Sequence, residues 1–235
     1  MNSPVSSYRI FPLGDSAVTI DFGNVIDEIT NNKVLTLFQQ LAAGPLPGMI
    51  EAVPAYSSLT IYYDLFKLRK SVLPDTTVYE WMCGRLEEKL QQPFEKKREA
   101  TRLVSIPVCY ENEFAPDIEQ LATEKNISVE EVVLIHSSKQ YRVYMLGFLP
   151  GFSYMGEVDE RISIGRKSQP QPVAAGSIGI AGKQTGIYPS ASPGGWRIIG
   201  RTPLKLFDAE KGSTLLKAGD TVQFISITKN EFENY

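Results

Sequence analysis

The spacing of hydrophobic and polar positions changes along the chain, and the change divides it in two. In the first part, "YRIFPLG" and "AVTIDFG" alternate around a turn at Gly14 and Asp15, which predicts a pair of strands. Val34, Leu37, Phe38 and Leu41 then share one face at helical spacing, predicting a helix over roughly Asp27 to Ala43 that Gly44 and Pro45 stop. "MIEAVPAY" and "SLTIYYD" supply a second strand pair. After Pro74 and Asp75, the positions Val78, Trp81, Met82, Leu86 and Leu90 predict a second helix that ends before Pro93. Two strand pairs, each followed by a helix, suit a ferredoxin-like or related α/β sandwich.

The segment "FEKKREATR" is charged and offers a core little beyond Phe94, so the domain boundary is placed there: residues 1–95, then residues 96–235. "LVSIPVCY" opens the second domain, and "APDIEQLATEKN" and "SVEEVVLIHSS" predict two short helices. The second of these begins with a capping-box pattern, Ser128 followed by Glu131. From Tyr141 onwards, eleven of the 18 glycines fall between Gly147 and Gly200, among short β-branched and aromatic runs. Glycine at that density permits the bulges and corners of a tightly curved β-barrel. The expected class is α+β, a sandwich followed by a barrel.

At 235 residues and 43% hydrophobic, the chain has ample material for two cores. A net charge of -3 with pI near 5.4 argues against a general nucleic-acid binder, which carries a basic face. No apolar run reaches the length of a membrane span. The start "MNSPVSSYRIFPLGDS" has neither the charged nor the apolar region of a signal peptide. Cys83 and Cys109 lie far apart without metal spacing and read as buried, reduced thiols. A soluble cytoplasmic protein is the expectation.

Several stretches bear on chemistry. "GSIGIAGKQTG" looks like a phosphate loop, but five residues rather than four separate Gly176 from Gly182, and Gln184 stands where the magnesium-binding hydroxyl belongs. The following "GIYPSASPGGW" cannot open an ordinary helix. It is not a Walker loop. Two readings remain: a glycine turn whose amides cradle an anion, or glycines that let a barrel turn its corners. The single histidine, His136, sits near the end of a helix, either as base or hydrogen-bond partner or as a packing residue. A catalytic zinc site lacks the ligands it would need. "GFLPGFSYMG" brings Phe148, Phe152 and Tyr154 together in a loop able to wall a pocket. "GRKSQPQP" holds Arg166 and Lys167 beside prolines, and "YPSASPGGWRIIGRTP" adds Tyr188, Gly194, Gly195, Trp196 and Arg201. No nucleophile elbow or Ser-His-Asp order is present.

Taken together, "GFLPGFSYMG", "VAAGSIGIAGKQTGIYP" and "SPGGWRIIGRTPLKLFD", with "PLGDSAVTIDFG" and "VPAYSSLTIYYD", closely resemble the family of 5-oxoprolinase B subunits. That family is also known as allophanate hydrolase subunit 1 and as KipI, the sporulation-kinase inhibitor, and it is similar to part of the carboxyltransferase portion of urea carboxylases. The resemblance implies an N-terminal α/β domain and a cyclophilin-like β-barrel. It implies direct pairing with the 5-oxoprolinase C subunit. With the A subunit, the pair would open 5-oxo-L-proline to L-glutamate using ATP, the Mg2+ held by no recognisable motif here. The resemblance also leaves an alternative, a regulator that docks on a sporulation-type histidine kinase and inhibits autophosphorylation. Little turnover is expected of the chain without its partners.

On this reading Lys183 and Arg201 are the cations placed to meet a phosphoryl group, with His136 as base or hydrogen-bond donor. Phe148, Phe152, Tyr154, Arg166, Gly176, Ser177, Gly179, Gln184, Thr185, Tyr188, Gly194, Gly195 and Trp196 would line the substrate or nucleotide pocket. The family usually has arginine at the position of Gln171 and proline at that of Ala174, so this loop lacks a guanidinium fork.

Overall fold

A computed structural model describes residues 8–72, 75–91 and 101–235. The chain divides into two compact units, Met1–Glu99 and Ala100–Tyr235. The boundary expected at residues 95 and 96, within "FEKKREATR", lies outside the described residues.

In the first unit β1 (Arg9–Pro12) and β2 (Ala17–Asp21) form a hairpin, followed by α1 (Glu28–Ala43). β3 (Met49–Pro54) and β4 (Ser58–Tyr63) form a second, followed by α2 (Leu65–Arg69) and α3 (Val78–Leu90). The antiparallel sheet runs β1-β2-β4-β3. Two hairpins each followed by helix make a two-layer α/β sandwich, but not the split β-α-β chain order of a ferredoxin-like fold, in which a helix separates the first two strands. The helices begin where local chemistry caps them. Asp27 accepts the Thr30 N–H at 2.9 Å, and Thr77 with Glu80 forms a reciprocal capping box. Val34, Leu37 and Leu41 of α1 and Met82 and Leu86 of α3 are buried against Val18, Ile20, Leu59 and Ile61 of the sheet. Each such side chain contributes about 1.5–3 kcal/mol by leaving water.

The second unit contains a closed barrel. Its strands are β5 (Leu103–Cys109), β6 (Gln140–Leu146), β7 (Ser153–Gly156), β9 (Ser177–Ala181), β10 (Gln184–Ile187), β12 (Arg197–Arg201) and β15 (Thr221–Ile227). They close in the order β10-β7-β6-β15-β5-β12-β9. Only the β5–β15 pairing is parallel. Two small two-stranded sheets stand apart from it: β8 (Gln171–Val173) with β11 (Ser192–Gly194), and β13 (Phe207–Asp208) with β14 (Ser213–Thr214). Between β5 and β6 run α4 (Ile118–Lys125) and α5 (Val129–Ser138), and α6 (Lys229–Glu233) follows β15. Ser128 caps α5 by accepting the Glu131 N–H at 3.1 Å. Ile106, Val108, Val143, Met155, Ile178, Ile180, Ile187, Ile199, Val222 and Phe224 fill the barrel, and Leu121, Val132 and Ile135 pack from the helices.

Candidate functional site

The alternation of β9 and β10 sends their side chains to two different cores. Ile178, Ile180 and Ile187 join the barrel interior, whereas Ala181 belongs to a second, aromatic cluster with Phe152, Val173, Tyr188, Trp196 and Ile198. Gly179 and Gly186 stand opposite one another and leave room for that cluster. A Cβ at Gly179 would meet Trp196 Cβ at 2.9 Å, and one at Gly186 would meet the Ser153 carbonyl oxygen at 2.7 Å and the Phe152 ring at 3.1 Å. Gly176 has φ +81°, and a side chain there would run into the Thr202 carbonyl. Gly182, φ +60°, takes the first place in a two-residue loop between β9 and β10, where a type II′ hairpin wants glycine. The loop amides are committed as well. Gly176 N–H donates to Tyr188 O at 2.7 Å, Ser177 N–H to Ala174 O at 3.3 Å and Gly182 N–H to Ile164 O at 2.7 Å. The glycine motif is therefore built as a turn and a floor for rings, with these three amides already in use.

Above this floor the expected aromatic residues do assemble. Phe152 meets Tyr154, Tyr188 and Trp196 at centroid distances of 4.7, 5.0 and 5.4 Å. Phe148 lies edge-on to Phe152 at 5.7 Å, is 63% exposed, and holds φ at +68°, a left-handed conformation costly for an aromatic residue. Gly194 lies against the Tyr188 hydroxyl, which leaves no room for a Cβ. Burial pushes the Tyr154 hydroxyl pKa up, with the Arg166 charge pulling against it. The Arg166 guanidinium lies 5.9 Å from the Trp196 ring centre and has no carboxylate in ion-pair reach among the described residues.

The loop carrying Arg166 is anchored from below by a pair that sequence reasoning missed. Lys167 Nζ lies 2.7 Å from Asp117 Oδ2 with both side chains largely buried, and also donates to Gln171 Oε1 at 2.9 Å. Asp117 in turn accepts the Ile198 N–H at 2.6 Å, tying the loop to β12. Lys167 N–H donates to Gly195 O at 2.8 Å.

The expected cations do not share one site. Arg201 pairs with Ser177 at the start of β9, while Lys183 follows its end at Ala181, roughly 13 Å further along the strand. Arg201 Nε donates to Ala175 O at 2.8 Å, and its guanidinium lies over Phe232. Lys183 sits at the tip of the β9–β10 loop, paired with Glu160 at 3.0 Å in an exposed ion pair, next to half-buried Gln184. The bridge between Ile164 and Gly182 brings Lys183 to the same end of β9 as Arg166.

His136 is fully buried inside the barrel unit, stacked on Phe224 at 4.6 Å. Its Nδ1 lies 2.8 Å from the Tyr110 hydroxyl and its Nε2 3.1 Å from Thr185 Oγ1. Thr185 has one proton and gives it to Gly179 O at 3.1 Å. It must therefore accept from His136, so Nε2 carries the hydrogen and bare Nδ1 accepts from Tyr110. Burial lowers the imidazole pKa to about 3. Expected as a base or donor for substrate, His136 is a neutral core residue with both nitrogens in use. Its helical spacing with Val132 and Ile135, all buried, was the signal for that in the sequence.

Comparison with known proteins agrees with this architecture. Residues 8–216 match the family described as carboxyltransferase domain, subdomain C and D, and the chain belongs to that family, among the 5-oxoprolinase B subunits. It is 45% identical to the 5-oxoprolinase B subunit of Bacillus subtilis, over 97% of this chain and 96% of that one. It is 34% identical to the corresponding protein of Escherichia coli O157:H7, over 92% and 95%. The solved structure of TTHA0988 superposes with a TM-score of 0.76 at 35% identity, over 90% of this chain. This chain spans only 40% of TTHA0988. A urea carboxylase of Kluyveromyces lactis shares the fold at 18% identity, TM-score 0.75, and there the chain corresponds to 23% of the longer protein.

Proposed function

We propose that the chain works as the B subunit of an ATP-dependent 5-oxoprolinase, in direct contact with the C subunit, together with the A subunit of the same enzyme. The observation that carries this reading is the 45% identity to a protein of that name along nearly the whole of both chains. ATP phosphorylates the lactam oxygen and leaves as ADP. Water attacks the activated carbon, and the C–N bond breaks as the nitrogen takes a proton. A second water hydrolyses the resulting glutamyl phosphate to glutamate and phosphate. Such a reaction needs cations and oriented donors where negative charge develops. The part of this chain best suited to that is the end of β9 where Arg166 lies over Trp196 beside Tyr154, with Lys183 at the neighbouring loop. Arg166 lacks a carboxylate partner among the described residues, and the exposed Lys183–Glu160 pair costs little to exchange for an anion. The described residues hold no group of three or more His, Cys, Asp or Glu side chains that could bind a metal ion, so ATP-bound Mg2+ is assigned to no residue here. No helix among the described residues is long and apolar enough to cross a membrane.

The test is turnover of 5-oxoproline with ATP by the chain alone and by the chain with the A and C subunits. Turnover only in the assembled complex is the expected result. Robust turnover by the isolated chain would overturn the shared-site reading, and an assembled complex without turnover would favour docking on a histidine kinase.

A further inference from the structure

The second unit carries a groove of about 960 Å³ that none of the glycine-rich motifs reaches. Val133 and Leu134 of α5 and Ile227 of β15 line it, and Leu134 is 65% exposed. Around these apolar side chains stand Glu111, Glu113, Glu130 and Glu231, against the single ammonium of Lys229, which Glu113 already binds.

One wall of the groove is a sheet edge. β15 pairs with β5 as far as Ile227, but its pairing with β6 ends at Gln223 opposite Gln140, because the chain before β6 turns into α5. No strand lies beside Phe224–Ile227 on that side among the described residues. Thr221 N–H donates to Arg102 O on the β5 side, so strand alternation turns the N–H and C=O of Ser226 to the open edge. β15 is thus left with an open edge here.

We propose that this groove docks an extended, cationic segment of a partner chain, which adds a strand to β15 at Ser226. The proposal rests on the reading that the chain works inside a complex. An extended segment satisfies the edge and lays alternate side chains on Val133 and Leu134. A helix in the groove would leave the Ser226 groups without partners. The surplus of carboxylates selects lysine and arginine and repels an acidic segment.

The test is binding of the 5-oxoprolinase C subunit to the full chain, read by biolayer interferometry. Ser226→Pro removes the outward N–H and leaves the β5 ladder intact, and Leu134→Lys places a like charge on the apolar wall. Each is expected to weaken binding by about tenfold or more, at unchanged near-ultraviolet circular dichroism. Wild-type binding should weaken with added salt. The Ser226 amide of the wild-type chain should exchange hydrogen more slowly in the complex, a readout that stands even if Ser226→Pro folds poorly. Wild-type binding that both folded variants retain, or a Ser226 amide unprotected in the complex, overturns the docking site and leaves the proposed function standing. A wild-type chain that fails to bind that partner at all overturns both.

Discussion

Gly179 and Gly186 face each other across the β9–β10 ladder, and each has an aromatic side chain packed where its own side chain would be. Trp196 covers the first and Phe152 the second, so the pair joins the barrel to its aromatic outer cluster. Alanine at either position must displace a ring or a carbonyl that is itself buried. Gly179→Ala and Gly186→Ala should each destabilise the barrel by about 1–3 kcal/mol, and urea unfolding measures it. At Gly182 nothing lies within 4 Å of a built Cβ, so alanine there meets only the penalty of its positive φ. Equal stability of all three variants would dismiss packing as the reason for the motif.

The buried imidazole gives stability a definite dependence on pH. Its folded pKa is about 3 and its ordinary value 6.5, so between these values the unfolded chain binds the extra proton. Stability from this group is complete above pH 6.5 and is lost as pH falls, with a slope approaching ~1.4 kcal/mol per pH unit. His136→Gln should flatten that slope between pH 6 and pH 4 while lowering stability at neutral pH. Tyr110→Phe should cost about 1–3 kcal/mol by leaving Nδ1 without a donor. Denaturant midpoints across pH measure both, and an unchanged slope in His136→Gln would show that other groups govern acid unfolding.

How much of this was legible beforehand depends on whether the information was local. Asp27 with Val34, Leu37 and Leu41 announces α1, and the Gly14 turn announces the first hairpin, because each signal fits within one element. The presence of the barrel was legible from glycine density alone. Which ring sits on which glycine was not, since Trp196 and Phe152 reach β9 and β10 from other parts of the chain. Lys183 and Arg201 looked like a pair because both fall in segments that carry the family resemblance. Reading Gly182-Lys183 as a two-residue loop would have put Lys183 at a tip and Arg201 one strand length away. The Lys167–Asp117 contact left no signal at all, as its partners come from a loop and a helix start with no common pattern.

That contact should be worth measuring by itself. Lys167 and Asp117 are both largely buried, and Asp117 also holds the Ile198 N–H. Lys167→Met leaves a carboxylate facing apolar surroundings with one donor remaining, at a cost of about 3 kcal/mol. Thermal unfolding of the single variant, and of Lys167→Met with Asp117→Asn, checks it. Recovery of most of the loss in the double variant identifies the stranded charge as the cause, since asparagine still accepts from Ile198.

Arg166 provides the direct test of the proposed site. It is held over Trp196 by a loop that Lys167 anchors, and it carries a charge that no carboxylate among the described residues neutralises. If it binds an anionic group of the reacting lactam or of the nucleotide, Arg166→Ala removes one charge-assisted contact. The expected loss is about 2–4 kcal/mol in transition-state stabilisation, or roughly two to three decades in kcat/KM. Lysine restores charge but not the planar stacking on Trp196, so Arg166→Lys should recover part of the rate. Lys183→Ala should cost less, because Lys183 is exposed and already shared with Glu160. Arg201→Ala should act mainly on stability through the lost bond to Ala175 O, and Lys89→Ala, in the first unit, should be neutral. The measurement is ATP-dependent opening of 5-oxoproline at matched complex assembly, checked by gel filtration. Full activity in Arg166→Ala would take the aromatic face out of the shared site and leave it as a packing surface of the barrel.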